Sequence, residues 1–221
     1  MPMRRRSALS AGLTAGAALL ALSVAGCGAS AAQPPAALGT GAGVLQPSNA
    51  ATPLATLPAD APKFAVPADF HLVIDADRSG NATADKVLLD AQYQFYGFVE
   101  ALSTGNVDDK IFKAWTIEDA YAGLSRSIST WKSRGERLTG TDHLYNRKVT
   151  VSGGGTKAVY TACEDSSQAY PLHIPSGKKD TNTAGTGNYT LWQGTFVKQT
   201  SGDWALNLIF TKPGASQCVV G

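Results

Sequence analysis

The sequence is poor in the residues that usually carry metal and redox chemistry, with three cysteines and three histidines among 221 residues. The histidines, His71, His143 and His173, are far apart and none stands in a HExxH spacing, which argues against a zinc site of the protease type. The cysteines form no CxxC pair, which argues against a thiolate metal site or a dithiol redox motif. We therefore expect no metal and no cofactor.

The chain also lacks a concentrated run of positive charge. It has 19 basic and 17 acidic residues, but three of the basic residues are the arginines at positions 4–6. Without residues 1–26, which contain no acidic residue, the balance is 16 basic to 17 acidic residues. Arg147 and Lys148 form an isolated basic pair that we expect on the solvated surface. A nucleic-acid-binding face is therefore not predicted.

The N-terminus has the layout of an export signal. Basic residues 4–6 are followed by an apolar run over residues 17–24 that is too short to span a bilayer. The run ends in Val24, Ala25, Gly26 and Cys27, which resembles the lipobox of bacterial lipoproteins. That resemblance implies lipidation of Cys27, which becomes the first mature residue, and anchoring to the outer face of the cytoplasmic membrane. The alternative is an ordinary cleaved signal peptide in which Cys27 lies near the cut by chance.

Composition divides the rest of the chain in two. Residues 27–66 are rich in Ala, Pro, Gly, Ser and Thr and have almost no aromatic residues. Such a segment buries too little apolar surface to offset its ordering entropy, so we predict a flexible tether. Residues 67–221 are numerous enough for one domain with one core.

Periodicity changes from helical to alternating within this domain. Apolar residues three and four positions apart predict helices over residues 84–104, 107–114 and 117–134. Alternation predicts strands over residues 145–151, 157–164, 189–200 and 204–211, with residues 165–187 as an irregular excursion. We therefore predict an α+β fold in which three N-terminal helices pack on a curved antiparallel sheet.

Three pieces of sequence carry a family resemblance: Tyr93, Phe95 and Tyr96 in the first helix, residues 159–165, and residues 196–204 with Gly202, Asp203 and Trp204 in a hairpin. This combination resembles the NTF2-like, cystatin-like superfamily and, more closely, small exported lipoproteins of actinobacterial type that carry such a domain. The resemblance implies a cone-shaped domain whose concave sheet can enclose a pocket. Some members are isomerases or dehydratases and many only bind, so the fold alone does not assign the activity.

Aromatic side chains are the candidates for lining such a pocket, because ligand sites are mostly apolar. They are Tyr93, Tyr96, Trp115, Tyr121, Trp131 and Tyr160. The alternative is that these rings fill the helix–sheet interface, as aromatic residues do in ordinary cores.

No pattern assigns a catalytic residue. We therefore predict a non-catalytic module that binds an unknown small ligand or an envelope protein. The alternative is an NTF2-like lyase or isomerase that uses a carboxylate buried in the cone. The acidic residues considered for that role are Asp90, Glu100, Glu118 and Asp119.

Cys163 and Cys218 remain after Cys27 is assigned to the lipid. Outside the cell paired thiols persist, so we predict a disulfide between them rather than two free thiols. In the chain-entropy model such a bridge stabilises the fold by about 4 kcal/mol.

One calcium-like pattern starts at Asp75 and includes Asp77, Ser79 and Asn81. Lys86 stands where the closing bidentate glutamate of an EF-hand loop belongs, so calcium is not predicted. The pattern instead indicates a turn and a helix cap, with Asn81 or Thr83 as the capping residue.

Overall fold

The structure is a computed structural model, and it describes residues 54–219. The predicted signal peptide, the lipidation site at Cys27 and residues 27–53 of the predicted tether lie outside the described residues. Within residues 54–219, no helix combines the length and the apolar character needed to cross a membrane.

Three helices follow a first strand, β1 (Phe70–Ile74), and agree closely with the helical periodicity. They are α1 (Ala82–Thr104), α2 (Lys110–Trp115) and α3 (Glu118–Arg134). Asn81 caps α1, since its Oδ1 accepts hydrogen bonds from the backbone N–H groups of Thr83 and Ala84 at 3.0 and 3.1 Å. Gly105 ends α1 in a left-handed conformation, with φ of 64°, which glycine adopts without steric cost. The predicted turn and cap before α1 are thus confirmed, with Asn81 as the capping residue.

The helices cover one six-stranded sheet. Its strands are β1 (Phe70–Ile74), β2 (Glu136–Ser152), β3 (Lys157–His173), β4 (Lys178–Lys179), β5 (Tyr189–Lys198) and β6 (Trp204–Pro213). The order across the sheet is β1-β2-β3-β5-β6, and the short β4 pairs with β3. The predicted α+β class with three helices on a sheet is confirmed.

The prediction of a purely antiparallel sheet is wrong. β1 pairs with β2 in parallel, from Phe70 opposite Gly140 to Ile74 opposite Leu144, and the other pairings are antiparallel. Parallel neighbours need a long crossover connection. Here α1, α2 and α3 provide it, because they return the chain to the same edge in the same direction.

β2 and β3 are also much longer than predicted. The sequence predicted strands over residues 145–151 and 157–164, but the two strands pair from Glu136 opposite His173 to Ser152 opposite Lys157. Residues 165–173 of the segment expected to be irregular therefore belong to β3. Its residues are mostly polar, and pairing with β2 decides their conformation more than their own propensity does.

Two features of β2 favour a bent strand. Two irregularities interrupt the pairing of β2 with β3, one near Asp142 and one near Asn146, and such bulges bend strands and increase their twist. Gly140 adds a further bend, since it has φ of 92° and a Cβ there would stand 2.1 Å from the carbonyl oxygen of Gln168.

The main core lies between the helices and the concave face of the sheet. Its largest fully buried side chains include Trp204, Phe112, Phe196, Ile128 and Leu144. A smaller cluster on the other face of the sheet surrounds the predicted disulfide. The structure confirms this bond between Cys163 and Cys218, whose Cα atoms are 5.3 Å apart.

The last part of the predicted tether lies against the domain. The backbone N–H of Ala55 donates to the carbonyl of Ile74 at 2.7 Å, and Leu54 forms an antiparallel bridge with Asp75. Further along, the Phe64 ring stacks on a ring of α1. Residues 54–66 therefore form part of the wall of the domain in the structure.

Candidate functional site

A β-bulge on β2 turns the side chain of Arg147 into the domain. Asn146 and Arg147 lie between two regular pairs of β2 with β3, and β3 contributes only Ala162 opposite them. Asn146 has a left-handed backbone with φ of 50°, which asparagine adopts more readily than most residues. Because of this extra residue, Arg147 is buried like Ala162, whereas the next residue, Lys148, is exposed.

The guanidinium group of Arg147 is held by uncharged acceptors. Its Nε donates to the hydroxyl of Tyr160 at 3.3 Å, its Nη1 donates to the carbonyl of Asp75 at 3.1 Å, and its Nη2 donates to the carbonyl of Leu88. Burial raises the pKa of the Tyr160 hydroxyl, so this partner is neutral as well. Within residues 54–219 no carboxylate forms an ion pair with the guanidinium group, although only 4% of Arg147 is exposed. The sequence-based expectation that Arg147 is solvated is therefore wrong.

Arg147 borders a cavity of about 370 Å³. The cavity lies between α1, the loop after β1 and the segment 54–58, and we call it the Arg147 pocket. The charged and amide side chains of its lining are Asp77, Arg78, Asp85, Gln92 and Arg147.

Gln92 gives this pocket a second hydrogen-bond donor. The residue is 3% exposed, and its Nε2 has no hydrogen-bond partner among the described residues. Native proteins usually satisfy buried polar groups, so such an unpaired donor indicates a missing partner. A buried guanidinium without an anion and an unpaired amide N–H in the same wall together form a site for an anionic or strongly accepting group.

A second unusual feature lies on the helix-facing side of the sheet. Asp142 on β2 is 8% exposed, and it lies within hydrogen-bonding reach of Glu164 on β3. Glu164 accepts a hydrogen bond from Nε1 of Trp192 at 2.8 Å, and the Trp192 ring contacts Phe95 of α1 edge to face, with ring centres 5.1 Å apart. The helix-facing side of the sheet thus contains two neighbouring carboxyl groups.

Both carboxyl groups have pKa values above those of ordinary side-chain carboxyl groups. Burial raises the pKa of Asp142 well above its ordinary value, and the adjacent charge of Glu164 raises it further. Burial also raises the pKa of Glu164, although the hydrogen bond from Trp192 acts in the opposite direction. The pKa of Asp142 is raised more than that of Glu164, which favours a proton on Asp142 beside the Glu164 carboxylate.

The carboxylate candidates named from the sequence lie elsewhere. Asp90 is fully buried, but both of its oxygens bind Nζ of Lys86, at 2.6 and 2.8 Å, and Oδ2 also accepts the backbone N–H of Trp204 at 2.9 Å. Lys86 binds Asp203 as well, at 2.8 Å. Asp90 therefore joins α1 to the β5–β6 hairpin and is not available as a base.

The other three candidates are at the periphery. Oε2 of Glu100 accepts the backbone N–H of Ala65 at 3.0 Å. Glu118 accepts a hydrogen bond from Asn207 at 3.2 Å at an exposed position, and Asp119 is exposed at the start of α3. None of the three contributes to the Arg147 pocket.

None of the six aromatic residues predicted to line a pocket is among the residues that line the Arg147 pocket. On α1, the Tyr93 ring packs edge to face on Trp115 with ring centres 5.2 Å apart. The Tyr96 ring stacks on Phe64 at 5.0 Å, and its hydroxyl donates to the carbonyl of Leu72 at 3.4 Å. These three rings thus close the domain on the side of segment 54–66.

The remaining predicted rings also have ring or cation partners. Tyr121 stacks on the buried Phe112, with ring centres 5.6 Å apart. Trp131 lies 5.5 Å from the guanidinium carbon of Arg134. The hydroxyl of Tyr160 accepts a hydrogen bond from Nε of Arg147, although the ring itself does not line the Arg147 pocket.

Sequence reasoning missed Arg147, Gln92, Asp142 and Glu164. The signal at Arg147 was a break in alternation, since Asn146 precedes it in a strand otherwise suited to pairing. Gln92 lies on the apolar face of a predicted helix, where a polar residue needs a reason to be buried. Such signals identify an anomaly but do not show which groups meet in space.

The described part of the chain has no cluster of three or more His, Cys, Asp or Glu side chains placed to hold a metal ion. In the calcium-like loop, a carboxylate forms hydrogen bonds with a residue of the same loop. Oδ1 of Asp85 accepts hydrogen bonds from the backbone N–H and the hydroxyl of Ser79, at 2.7 and 2.8 Å.

Comparison with models of known protein families finds no match, and comparison with curated proteins also finds none. Several solved structures are similar in the arrangement of their elements. An NTF2-like superfamily protein from Salmonella enterica serovar Typhimurium is 9% identical, with a TM-score of 0.40 over 59% of this chain and 92% of that chain. A ketosteroid isomerase-like protein from Erwinia carotovora atroseptica is 10% identical, with a TM-score of 0.39 over 60% of this chain and 97% of that chain.

The intermembrane-space region of the chloroplast protein ARC6 is also similar. It is 14% identical, with a TM-score of 0.38 over 56% of this chain and 94% of that chain. Overlap of this extent assigns no activity to the chain.

Proposed function

We propose that this protein is a lipid-anchored, extracytoplasmic binding module. In this proposal Cys27 carries the lipid, residues 28–53 link the anchor to the domain, and an NTF2-like domain binds a small molecule in the Arg147 pocket. The lipobox-like sequence before Cys27 supports the anchor. The disulfide between Cys163 and Cys218 supports a location outside the cytoplasm, where such bonds persist.

One observation carries the binding function: the buried guanidinium of Arg147 borders a cavity and has no carboxylate partner within residues 54–219. Burial of an unpaired charge is costly, so proteins usually pair or hydrogen-bond it. A ligand with a carboxylate or a similar acceptor supplies the missing partner. Arginine is suited to this task, because its planar fork binds carboxylates in a bidentate manner.

The anchor is tested by fractionating cells that express the full chain. Cys27→Ala should move the protein from the membrane fraction to the medium, and mass spectrometry of the wild type should find diacylglycerol on residue 27. The double variant Cys163→Ala, Cys218→Ala retains Cys27 and should stay with the membrane. A Cys27→Ala protein that stays in the membrane fraction contradicts the anchor.

The pocket is tested with two neighbouring glutamines of α1. Gln92→Met removes the unpaired donor but preserves side-chain volume, so stability without ligand should be unchanged or higher. Binding of small carboxylates, titrated from acetate to 4-methylpentanoate by calorimetry on the mature chain in detergent, should weaken about tenfold. Gln94→Met is the control, because Gln94 already bonds Thr116 at 3.4 Å. It should lower stability and leave affinity unchanged.

Equal affinity of the Gln92→Met and wild-type proteins contradicts the assignment of the pocket. Unchanged stability together with weaker ligand binding identifies Gln92 as a ligand-binding residue. If Gln92 had only a structural role, Gln92→Met would lower stability and leave ligand affinity unchanged.

A second candidate function, an NTF2-like lyase or isomerase, is favoured by the carboxyl pair of Asp142 and Glu164. A carboxylate in the interior of the cone with a raised pKa is suited to abstract a proton next to a carbonyl group. Against this candidate, neither carboxyl group lines the Arg147 pocket.

The enzyme candidate is tested by following the isomerisation of cyclohex-3-enone to its conjugated isomer by NMR. Turnover that is lost in Glu164→Gln and retained in Gln92→Met would establish it. A rate that stays at the buffer level with the folded wild type would remove it.

A further inference from the structure

We propose that the ligand of the Arg147 pocket is a zwitterion, namely a free α-amino acid with an apolar side chain. Arg147 and Gln92 bind its carboxylate, and Asp77 and Asp85 bind its ammonium group. This inference rests on the proposed binding function and names the ligand class for the same pocket.

The carboxylate end is defined by the donors that the protein leaves unused. A guanidinium group has five N–H groups, two of them on each terminal nitrogen. Nη1 and Nη2 of Arg147 each bind one carbonyl oxygen, which leaves one N–H on each of them. The unpaired amide of Gln92 adds a further donor in the same wall.

The ammonium end is defined by two carboxylates, each of which the protein holds through one oxygen. Oδ2 of Asp77 accepts the backbone N–H of Arg147 at 2.9 Å, and Oδ1 makes no hydrogen bond within residues 54–219. Oδ1 of Asp85 is bound by Ser79, which leaves Oδ2 without a partner in that same part of the chain. The hydrogen bond from the Ser79 N–H lowers the pKa of Asp85, so this group is an anion at neutral pH.

The balance of charge in the pocket favours a ligand that carries both signs over a ligand with one sign only. Two cationic side chains, Arg78 and Arg147, and two anionic ones, Asp77 and Asp85, line the pocket. A simple carboxylate would gain from Arg147 but would be repelled by the two aspartates. A simple amine would be attracted by the two aspartates but repelled by the two arginines. A molecule with both charges therefore fits best.

Apart from Thr56, the remaining lining side chains are apolar, and they set the third requirement. Leu54, Pro58, Leu88 and Leu89 belong to the lining, and they provide no hydrogen bond for a polar side chain. A volume of about 370 Å³ lies near the lower end of the range for small-molecule sites. It accommodates one amino acid and restricts larger ligands.

The test compares three probes with the same branched carbon chain, using calorimetry on the full mature chain in detergent. L-leucine carries both charges, 4-methylpentanoate lacks the amine, and 3-methylbutan-1-amine lacks the carboxylate. We expect L-leucine to bind at least about tenfold more tightly than either single-charge probe.

Variants separate the two ends of the ligand. Asp77→Asn keeps an oxygen for the Arg147 amide and removes the charge, so it should weaken L-leucine about tenfold and leave 4-methylpentanoate equal or stronger. Gln92→Met should weaken both of these probes. Asp119→Asn, at an exposed position of α3, is the control and should change neither affinity.

The possible failures are distinguishable. If 4-methylpentanoate binds as tightly as L-leucine, the zwitterion inference is wrong, whereas the binding function of the Arg147 pocket stands. If none of the three probes binds with a Kd below about 1 mM, both the inference and the proposed binding function are wrong.

Discussion

Arg147 donates a hydrogen bond from Nε to the hydroxyl of Tyr160, 3.3 Å away across the β2–β3 pair. This contact exists because the bulge at Asn146 shifts the alternation of β2 by one residue. Without the extra residue, the side chain of Arg147 would lie on the opposite face, since successive side chains of a strand alternate. The orientation of one charge therefore depends on the backbone of its neighbour.

The bulge can be tested at Asn146. Asn146→Val should lower the free energy of unfolding by about 1–2 kcal/mol, because a β-branched residue is strained in the left-handed region. Asn146→Gly should change it by less than about 0.5 kcal/mol. Urea unfolding measures both. The control is Thr150→Val on the same strand, an exposed position where valine suits the backbone. Equal stability of Asn146→Val and Thr150→Val would contradict the bulge.

The pair of Asp142 and Glu164 makes stability depend on pH. The folded protein holds the Asp142 proton more tightly than the unfolded chain does, because burial raises the folded-state pKa well above 3.8. Its stabilising contribution is therefore complete below the unfolded-state pKa and is lost as pH rises through the folded-state pKa.

Asp142→Asn removes this dependence and keeps a donor for Glu164. We expect the variant to gain stability relative to the wild type as pH rises from about 4 to 8. Chemical unfolding over a series of buffers measures the difference. A difference that does not change with pH, or that falls as pH rises, would show that the proton is not held by this pair.

The helices could be predicted from the sequence, whereas the sheet could be predicted only in part. The apolar spacing of α1 and α3 is local, so it needs no knowledge of the partner element. The first half of β2 and the last part of β3 are mostly polar, and each becomes a strand because the other is beside it. The pairing of Glu136 with His173, for example, cannot be predicted from the local sequence of either strand.

The same distinction separates the disulfide from the candidate pocket. Cys163 and Cys218 were predictable because only two cysteines remained after Cys27. The Arg147 pocket joins the segment 54–58 to α1 and β2, which are distant in sequence, and its key arginine is buried through a shift in register. Its residues could be singled out only after the topology was known.

The disulfide should account for a measurable part of the stability. It links residues 55 apart in sequence and holds the last turn, whose Cys218 carbonyl accepts the hydroxyl of Tyr145. The double variant Cys163→Ala, Cys218→Ala should lose about 4 kcal/mol in urea unfolding. Wild type in reducing buffer should lose a similar amount, and full stability in that buffer would contradict the expected contribution.

The final prediction concerns Lys86, which binds two carboxylates of very different burial. The Asp90 side chain is fully buried, whereas 45% of the Asp203 side chain is exposed. Asp90→Ala removes the buried partner of Lys86 and leaves the Trp204 backbone N–H without its acceptor. The expected loss in the free energy of unfolding is about 3 kcal/mol.

Asp203→Ala is the matched control, because it removes the same kind of group from the same lysine at the surface. Its cost should be below about 1 kcal/mol, since solvent screens exposed ion pairs. Urea unfolding of the two variants gives the comparison directly. If they lose equal stability, then Asp90 does not hold α1 to the β5–β6 hairpin, and the hairpin is kept in place by Trp204 and its apolar neighbours alone.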